Sequence, residues 1–135
     1  DTLETATTWS NVERLRGAVR GAIDKAMRDS APAEGGHGIV MAHISHSYPD
    51  GASLYFTFLF PRDVKNDVAQ WRAIKTAASD AIARNGGTIS HHHGVGEDHV
   101  PWLEAEKGSS GIGVLRAIKR ELDPAGVLNP GKLLH

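Results

Sequence analysis

Three stretches of the chain repeat apolar residues at helical spacing, and one alternates them. Val12, Leu15, Val19, Ile23 and Ala26 share one face of a helix that starts near Ser10 or Asn11 and runs to about Asp29. Either starting residue can cap it, and Arg and Lys fill the opposite face. Val68, Trp71, Ile74, Ala78 and Ile82 predict a second helix over about 64–84, stopped by Asn85-Gly86-Gly87. Ile112, Leu115, Ile118 and Leu122 predict a third over about 110–122, closed by Asp123-Pro124. A helical turn is expected before it, over 102–107.

Between 53 and 60 the period falls to two. Leu54, Phe56, Phe58 and Phe60 share one face, and Ser53, Tyr55, Thr57 and Leu59 share the other. The phenylalanine face belongs to a core, so Tyr55 and Thr57 point toward a second layer, a cavity or solvent. A partner strand over about 38–47 joins it through Tyr48-Pro49-Asp50-Gly51, where Pro presets φ and Gly accepts the turn. Residues 31–36 read as a loop, and 88–90 as an extended piece leading into a loop over 91–97. This order predicts an α+β domain, an antiparallel sheet with helices packed on it. A hairpin alone makes a poor sheet. Further strands are expected from the residues before each helix or from protein beyond this chain.

The chain has 135 residues, enough for one domain that buries roughly two thirds of its unfolded surface. Its net charge of -1 gives no sign of nucleic acid as a partner. It has no Cys, which excludes disulfides, thiolate catalysis and zinc-thiolate sites. No apolar run approaches the ~20 residues of a membrane span, so a soluble protein is expected, cytoplasmic or peripheral to a membrane. The start at Asp1 is neither an initiator Met nor a signal peptide, and reads as cut from something longer.

Candidate chemistry concentrates in Ser90-His91-His92-His93-Gly94-Val95-Gly96. Imidazoles exchange protons near neutral pH and donate hydrogen bonds to anionic oxygen. Gly94 and Gly96 permit close backbone approach to a ligand. Successive side chains on an extended path diverge, so one or two of the three imidazoles should face a site. By the same reasoning no metal is expected, since zinc ligands converge from spaced positions; Asp98 and His99 are the nearby groups that could complete such a set. Tyr55 is a second candidate, because a phenol near an imidazole can serve as acid or base. His43 and His46 lie across the turn and read first as partly exposed strand residues. The run from Asp123 to Lys132 reads as a helix stop and structured tail in which Val127 and Leu128 pack; Asn129 and Lys132 could present an amide and a cation to a polar cofactor.

Asn85 through Gly96 resembles the histidine loop of the alkyldihydroxyacetonephosphate synthase family. Asp123-Pro124 through Asn129-Pro130-Gly131-Lys132 resembles the C-terminal motif of the wider FAD-linked oxidases, and residues 4–9 and 53–56 follow the synthase pattern in order. The resemblance implies a flavoenzyme of the vanillyl-alcohol oxidase type. Residues 1–135 would be the C-terminal portion of its substrate (cap) domain, with the FAD-binding N-terminal domain outside this chain. Alone, the chain should be inactive and should not hold FAD tightly. Its partners would be the remainder of its own polypeptide and a small-molecule or lipid-like substrate; a homodimer is an assembly the family admits.

By the same resemblance, Tyr55 stands at the position of the catalytic tyrosine that helps remove a substrate proton. His91, His92 and His93 line the site, while Gly94, Gly96, Asn129 and Lys132 serve the cofactor side. The implied reaction exchanges the acyl chain of acyl-dihydroxyacetone phosphate for a fatty alcohol through an adduct on the flavin. Two positions depart from that pattern: Glu97 replaces a usual Lys, and His43 an expected Arg. The loss of two cations keeps an oxidase or dehydrogenase of a hydroxy acid or alcohol as an alternative. A non-catalytic His-rich module binding a metal or a partner is a third reading.

Overall fold

A computed structural model describes residues 1–134, and its sheet has one strand more than the hairpin. β1 (Thr2–Thr8) precedes the first helix, and β2 (Ile39–Ser47) and β3 (Gly51–Leu59) form the hairpin. The order is β1-β3-β2, with each neighbour antiparallel. β1 is thus a strand directly before a helix, one of the two sources expected for further strands. Its threonines suit a pleated surface, with Leu3 and Thr5 turned to the core. A single 3-10 turn, Trp9–Asn11, leads into α1 (Val12–Asp29); α2 (Asp67–Arg84) and α3 (Val100–Leu122) follow the hairpin.

The phenylalanine face of β3 is the core face, as its alternation predicts. Leu54, Phe56 and Phe58 are at most 1% exposed. They share one cluster with Leu15, Val19 and Ile23 of α1 and Ile74, Ala78 and Ile82 of α2. Each of the larger of these side chains gains about 1.5–3 kcal/mol from leaving water. Phe60 lies beyond the strand and stacks on Phe58 with ring centroids 6.1 Å apart.

Four apolar expectations on the helices fail. α2 starts at Asp67, not near Val64, which leaves Val68 in the first turn and 60% exposed. Trp71 is only half-buried because its indole N–H turns outward to donate to Asp1 Oδ2 at 2.6 Å. On α3, Ile112 is buried, but Ile118 and Leu122 are exposed. α3 is also two pieces. Gly108 sits at φ 72°, ψ 160°, outside helical space and in a region only glycine adopts readily. The expected turn over 102–107 and helix from 110 correspond to those pieces. Among the described residues no helix is long and apolar enough to cross a membrane.

After α2 the chain returns along the free edge of β1. The Thr88 N–H donates to Ala6 O at 3.0 Å, and the His91 N–H to Glu4 O at 3.3 Å. The Thr5 hydroxyl donates to Thr88 O at 2.6 Å, and the Thr7 hydroxyl to Gly86 O at 2.9 Å. This pairing covers an otherwise open sheet edge. It also delivers the histidine run beside Glu4. The path is tight at Gly87, where a Cβ would lie 2.6 Å from Thr5 Oγ1 and 2.9 Å from Leu15 Cδ2. Gly87→Ala should therefore destabilise the fold by about 1–3 kcal/mol, the usual cost of overpacking; urea denaturation measures it.

Candidate functional site

Glu4, Tyr55 and His43 form one row across the sheet. Glu4 is registered with Tyr55, and Tyr55 with His43. They occupy the face opposite Phe56. The His43 ring stacks on Tyr55 with centroids 5.4 Å apart, and the His93 ring meets Tyr55 edge-on at 5.6 Å. An irregularity in β2 between Ile44 and Ser47 brings His46 onto this face as well: its N–H donates to Ser53 Oγ at 2.9 Å.

The histidine run curls; it does not extend. His92 has φ 60° and Gly94 φ 74°, left-handed values that His tolerates better than most residues. The Ser90 hydroxyl closes the curl by donating to Gly94 O at 2.6 Å. This curl overturns the expected divergence of the imidazoles. The His91 and His92 rings stack at 4.0 Å, and His46 meets His92 edge-on at 4.6 Å.

All of these rings surround Glu4, which sequence reasoning missed. Its side chain is 3% exposed. Oε1 lies 3.2 Å from His91 Nδ1 and 3.3 Å from His46 Nδ1, and Oε2 lies 3.4 Å from His93 Nε2. The His91 nitrogen is close but poorly aligned, so it is buried without a formal hydrogen bond. Burial pushes the Glu4 carboxyl up, but the polar groups of Ser53, His91, Ser45 and His46 close around it outweigh this and hold it below the usual carboxylate range. The signals for this residue were an isolated acid in a threonine-rich run and its place at the start of the 4–9 stretch that follows the synthase pattern. His46 is exposed as expected, yet it belongs to the cluster. Glu4, His46, His91 and His92 bring one ligand-type atom each within 4.8 Å of one another. This donor set suits a divalent ion, and the divergence that argued against metal is absent; Asp98 and His99 are not part of the set.

Two further groups hold the loop. Glu106 accepts from the Ile89 N–H at 2.6 Å and the Thr88 hydroxyl at 2.9 Å. Burial raises its carboxyl, while hydrogen bonds from Lys107, Ile89 and Thr88 lower it further, for a net downward shift. From the other side, Lys132 Nζ pairs with Glu97 Oε2 at 2.6 Å and the Leu133 N–H donates to Gly96 O at 3.2 Å. The C-terminal run is therefore folded onto the loop. Buried Asp123 organises it by accepting from the Val127 and Leu128 N–H groups at 2.9 and 3.0 Å and from Lys119. Val127 and Leu128 do not pack, being 71% and 60% exposed, because their backbone is what Asp123 holds.

The structure thus gathers Tyr55, His91, His92 and His93 on one wall. It sets Gly94 and Gly96, both at positive φ with open space where a Cβ would stand, beside it. Lys132 reaches the loop by pairing with Glu97, while Asn129 makes its contact through its carbonyl, which accepts from the Lys132 N–H at 3.3 Å. The wall is an open face. A cavity of about 450 Å³ lies elsewhere, between Phe58, Phe60 and Trp71.

Residues 1–133 match the family model described as FAD linked oxidases, C-terminal domain. An alkyldihydroxyacetonephosphate synthase of Dictyostelium discoideum is 36% identical over 99% of the chain and 21% of its own length. One of Caenorhabditis elegans is 38% identical over 99% of the chain and 22% of its own length. A solved structure of an alkyldihydroxyacetonephosphate synthase superposes with a TM-score of 0.58 at 25% identity, covering 96% of this chain and 19% of that one. The chain spans about a fifth of the length of the relatives it matches.

Glu106→Ala should loosen the histidine loop without unfolding the sheet. Losing charge-assisted hydrogen bonds worth about 1.5–3 kcal/mol should speed amide exchange at Ile89 and His91 by about 10- to 100-fold at constant pH, read by native-state hydrogen exchange.

Proposed function

This chain belongs to the C-terminal domains of the FAD-linked oxidases, and on that premise we propose that its outer sheet face is the substrate wall of an FAD-dependent, alkyldihydroxyacetonephosphate synthase-like enzyme. The observation that carries the reading is the convergence of the Tyr55 phenol with the imidazoles around one buried carboxylate.

The family implies FAD, and the residues of this face fit one side of a planar ring. Tyr55 and His43 present stacked rings, and Gly94 and Gly96 leave open space over their backbone. When bound, FAD supplies a sink for an electron pair from the substrate. The rest of the work falls to protein groups. Tyr55 passes its hydroxyl proton to an imidazole acceptor as it takes one from the substrate carbon. His91 and His92 orient the substrate, and the sheet holds both in place. The substrate class is the one that the synthase resemblance implies, a fatty alcohol exchanging for an acyl chain. The remaining polypeptide of the full-length enzyme holds most of the cofactor.

Glu97 bears on specificity. It replaces one of the two cations lost from the synthase pattern, and its pairing with Lys132 neutralises a further cation and fastens the C-terminal run to the loop. The phosphate end of a substrate would therefore be met by other parts of the full-length protein.

In the full-length enzyme loaded with FAD, Tyr55→Phe should lower kcat by about 100- to 10,000-fold, the range for losing a positioned acid–base group. His92→Ala should also slow turnover. Both variants should keep the wild-type melting temperature and flavin content. Steady-state assay of fatty alcohol exchange reads the effect, and wild-type rates in both variants would sink the assignment.

A further inference from the structure

We propose that Glu4, His46, His91 and His92 hold one divalent transition-metal ion of the zinc class on the outer face of the sheet. The inference uses neither Tyr55 nor the flavin, so it stands apart from the reading of that face as a substrate wall. Imidazole suits zinc and its neighbours in the first transition row, whereas magnesium and calcium take oxygen ligands. The donors here are three imidazoles and one carboxylate. They come from β1, the end of β2 and the histidine loop, and offer ligand atoms that all lie within 4.8 Å of one another.

The separations fit ligands that share an ion. Zinc bonds of about 2.0–2.1 Å set neighbouring ligand atoms about 3.3–3.4 Å apart at the corners of a tetrahedron. Glu4 Oε1 stands 3.2 Å from His91 Nδ1 and 3.3 Å from His46 Nδ1. The first of these contacts is not a hydrogen bond, and His91 Nδ1 is buried without a hydrogen-bond partner. Such an orphan is costly, and an ion between it and Glu4 Oε1 satisfies both atoms. The far nitrogen of the same ring, Nε2, lies 3.1 Å from the Tyr48 hydroxyl, the outer contact that a ligating imidazole ordinarily keeps. His46 Nδ1 also lies 3.0 Å from Ser45 Oγ and 3.3 Å from Ser53 Oγ; hydroxyls rotate and can release it. Charge points the same way. The ion-pair partners of Glu4 among the described residues are all histidines, so no Lys or Arg offsets the buried carboxylate, and a bound cation does. His92 is the outermost ligand. It is exposed and stacked on His91 at 4.0 Å, so its ring turns to complete the set. With His46 also exposed, the outward side of the ion stays open to water or another oxygen ligand.

Calorimetry with zinc chloride on the full-length protein, first stripped of metal by a chelator, tests this. Wild type should bind one zinc per chain in the micromolar range or tighter. Glu4→Gln and His46→Ala should each weaken binding by at least about 100-fold, beyond the ~10- to 100-fold typical of losing only an outer contact. His92→Ala should weaken it less, and His37→Ala, at an exposed histidine outside the set, not at all. Zinc should raise the melting temperature of wild type, because it binds the folded state, and leave that of His46→Ala unchanged. His46 is exposed, so its alanine variant carries the test if Glu4→Gln does not fold. Wild type without saturable zinc binding would overturn the proposal, and so would wild-type zinc affinity in folded His46→Ala. Neither result bears on the Tyr55→Phe prediction, so the two readings fail separately.

Discussion

A carboxylate taken out of water is costly unless its oxygens find donors. Glu4 is such a group, and much of the outer face is arranged around it. Its backbone carbonyl accepts from His91, and its side chain draws in His46, His91 and His93. One residue of β1 therefore fixes both the path of the histidine loop and the direction of its rings. The hairpin supplies Tyr55 and His43 from the same row, so phenol and imidazoles meet without any long-range rearrangement.

The fold serves that row in layers. The inner face of the sheet is closed by α1 and the shared core, which leaves the outer face free for chemistry. α2 ends in glycines that let the chain pass tightly over Thr5 and Leu15. Glu106 then holds the residues just before the imidazoles, and the C-terminal run clasps the residues just after them through Lys132 and Leu133. Support on both sides is what the proposed proton-handling role requires, since small displacements cost large factors in rate.

Local patterns carried much of this into view. α1 and the hairpin follow from periods of about four and two, and the Phe face of β3 proved to be the core. The extended piece over 88–90 and the separation of a turn over 102–107 from a helix starting near 110 were legible as well. β1 was harder. Thr2–Thr8 holds one large apolar side chain, Leu3, and its strand character comes from pairing with β3, fifty residues away. Glu4 was invisible for the same reason: nothing near it in sequence says that an acid will be buried. The curl of the imidazoles depends on left-handed backbone at His92, which the residue type permits but does not announce. Ile118 and Leu122 were placed in a buried stripe by periodicity alone, which cannot say whether a partner surface is present.

In the proposed reading, the face bearing Tyr55 and the imidazoles around Glu4 lies against the flavin. A crystal structure of the full-length, FAD-loaded protein tests it most directly. The account predicts the isoalloxazine ring over the outer face of the sheet, in contact with Tyr55 or His93 at about 3.5–4 Å. A ring bound elsewhere, with other polypeptide packed over Tyr55 and the imidazoles, would contradict it.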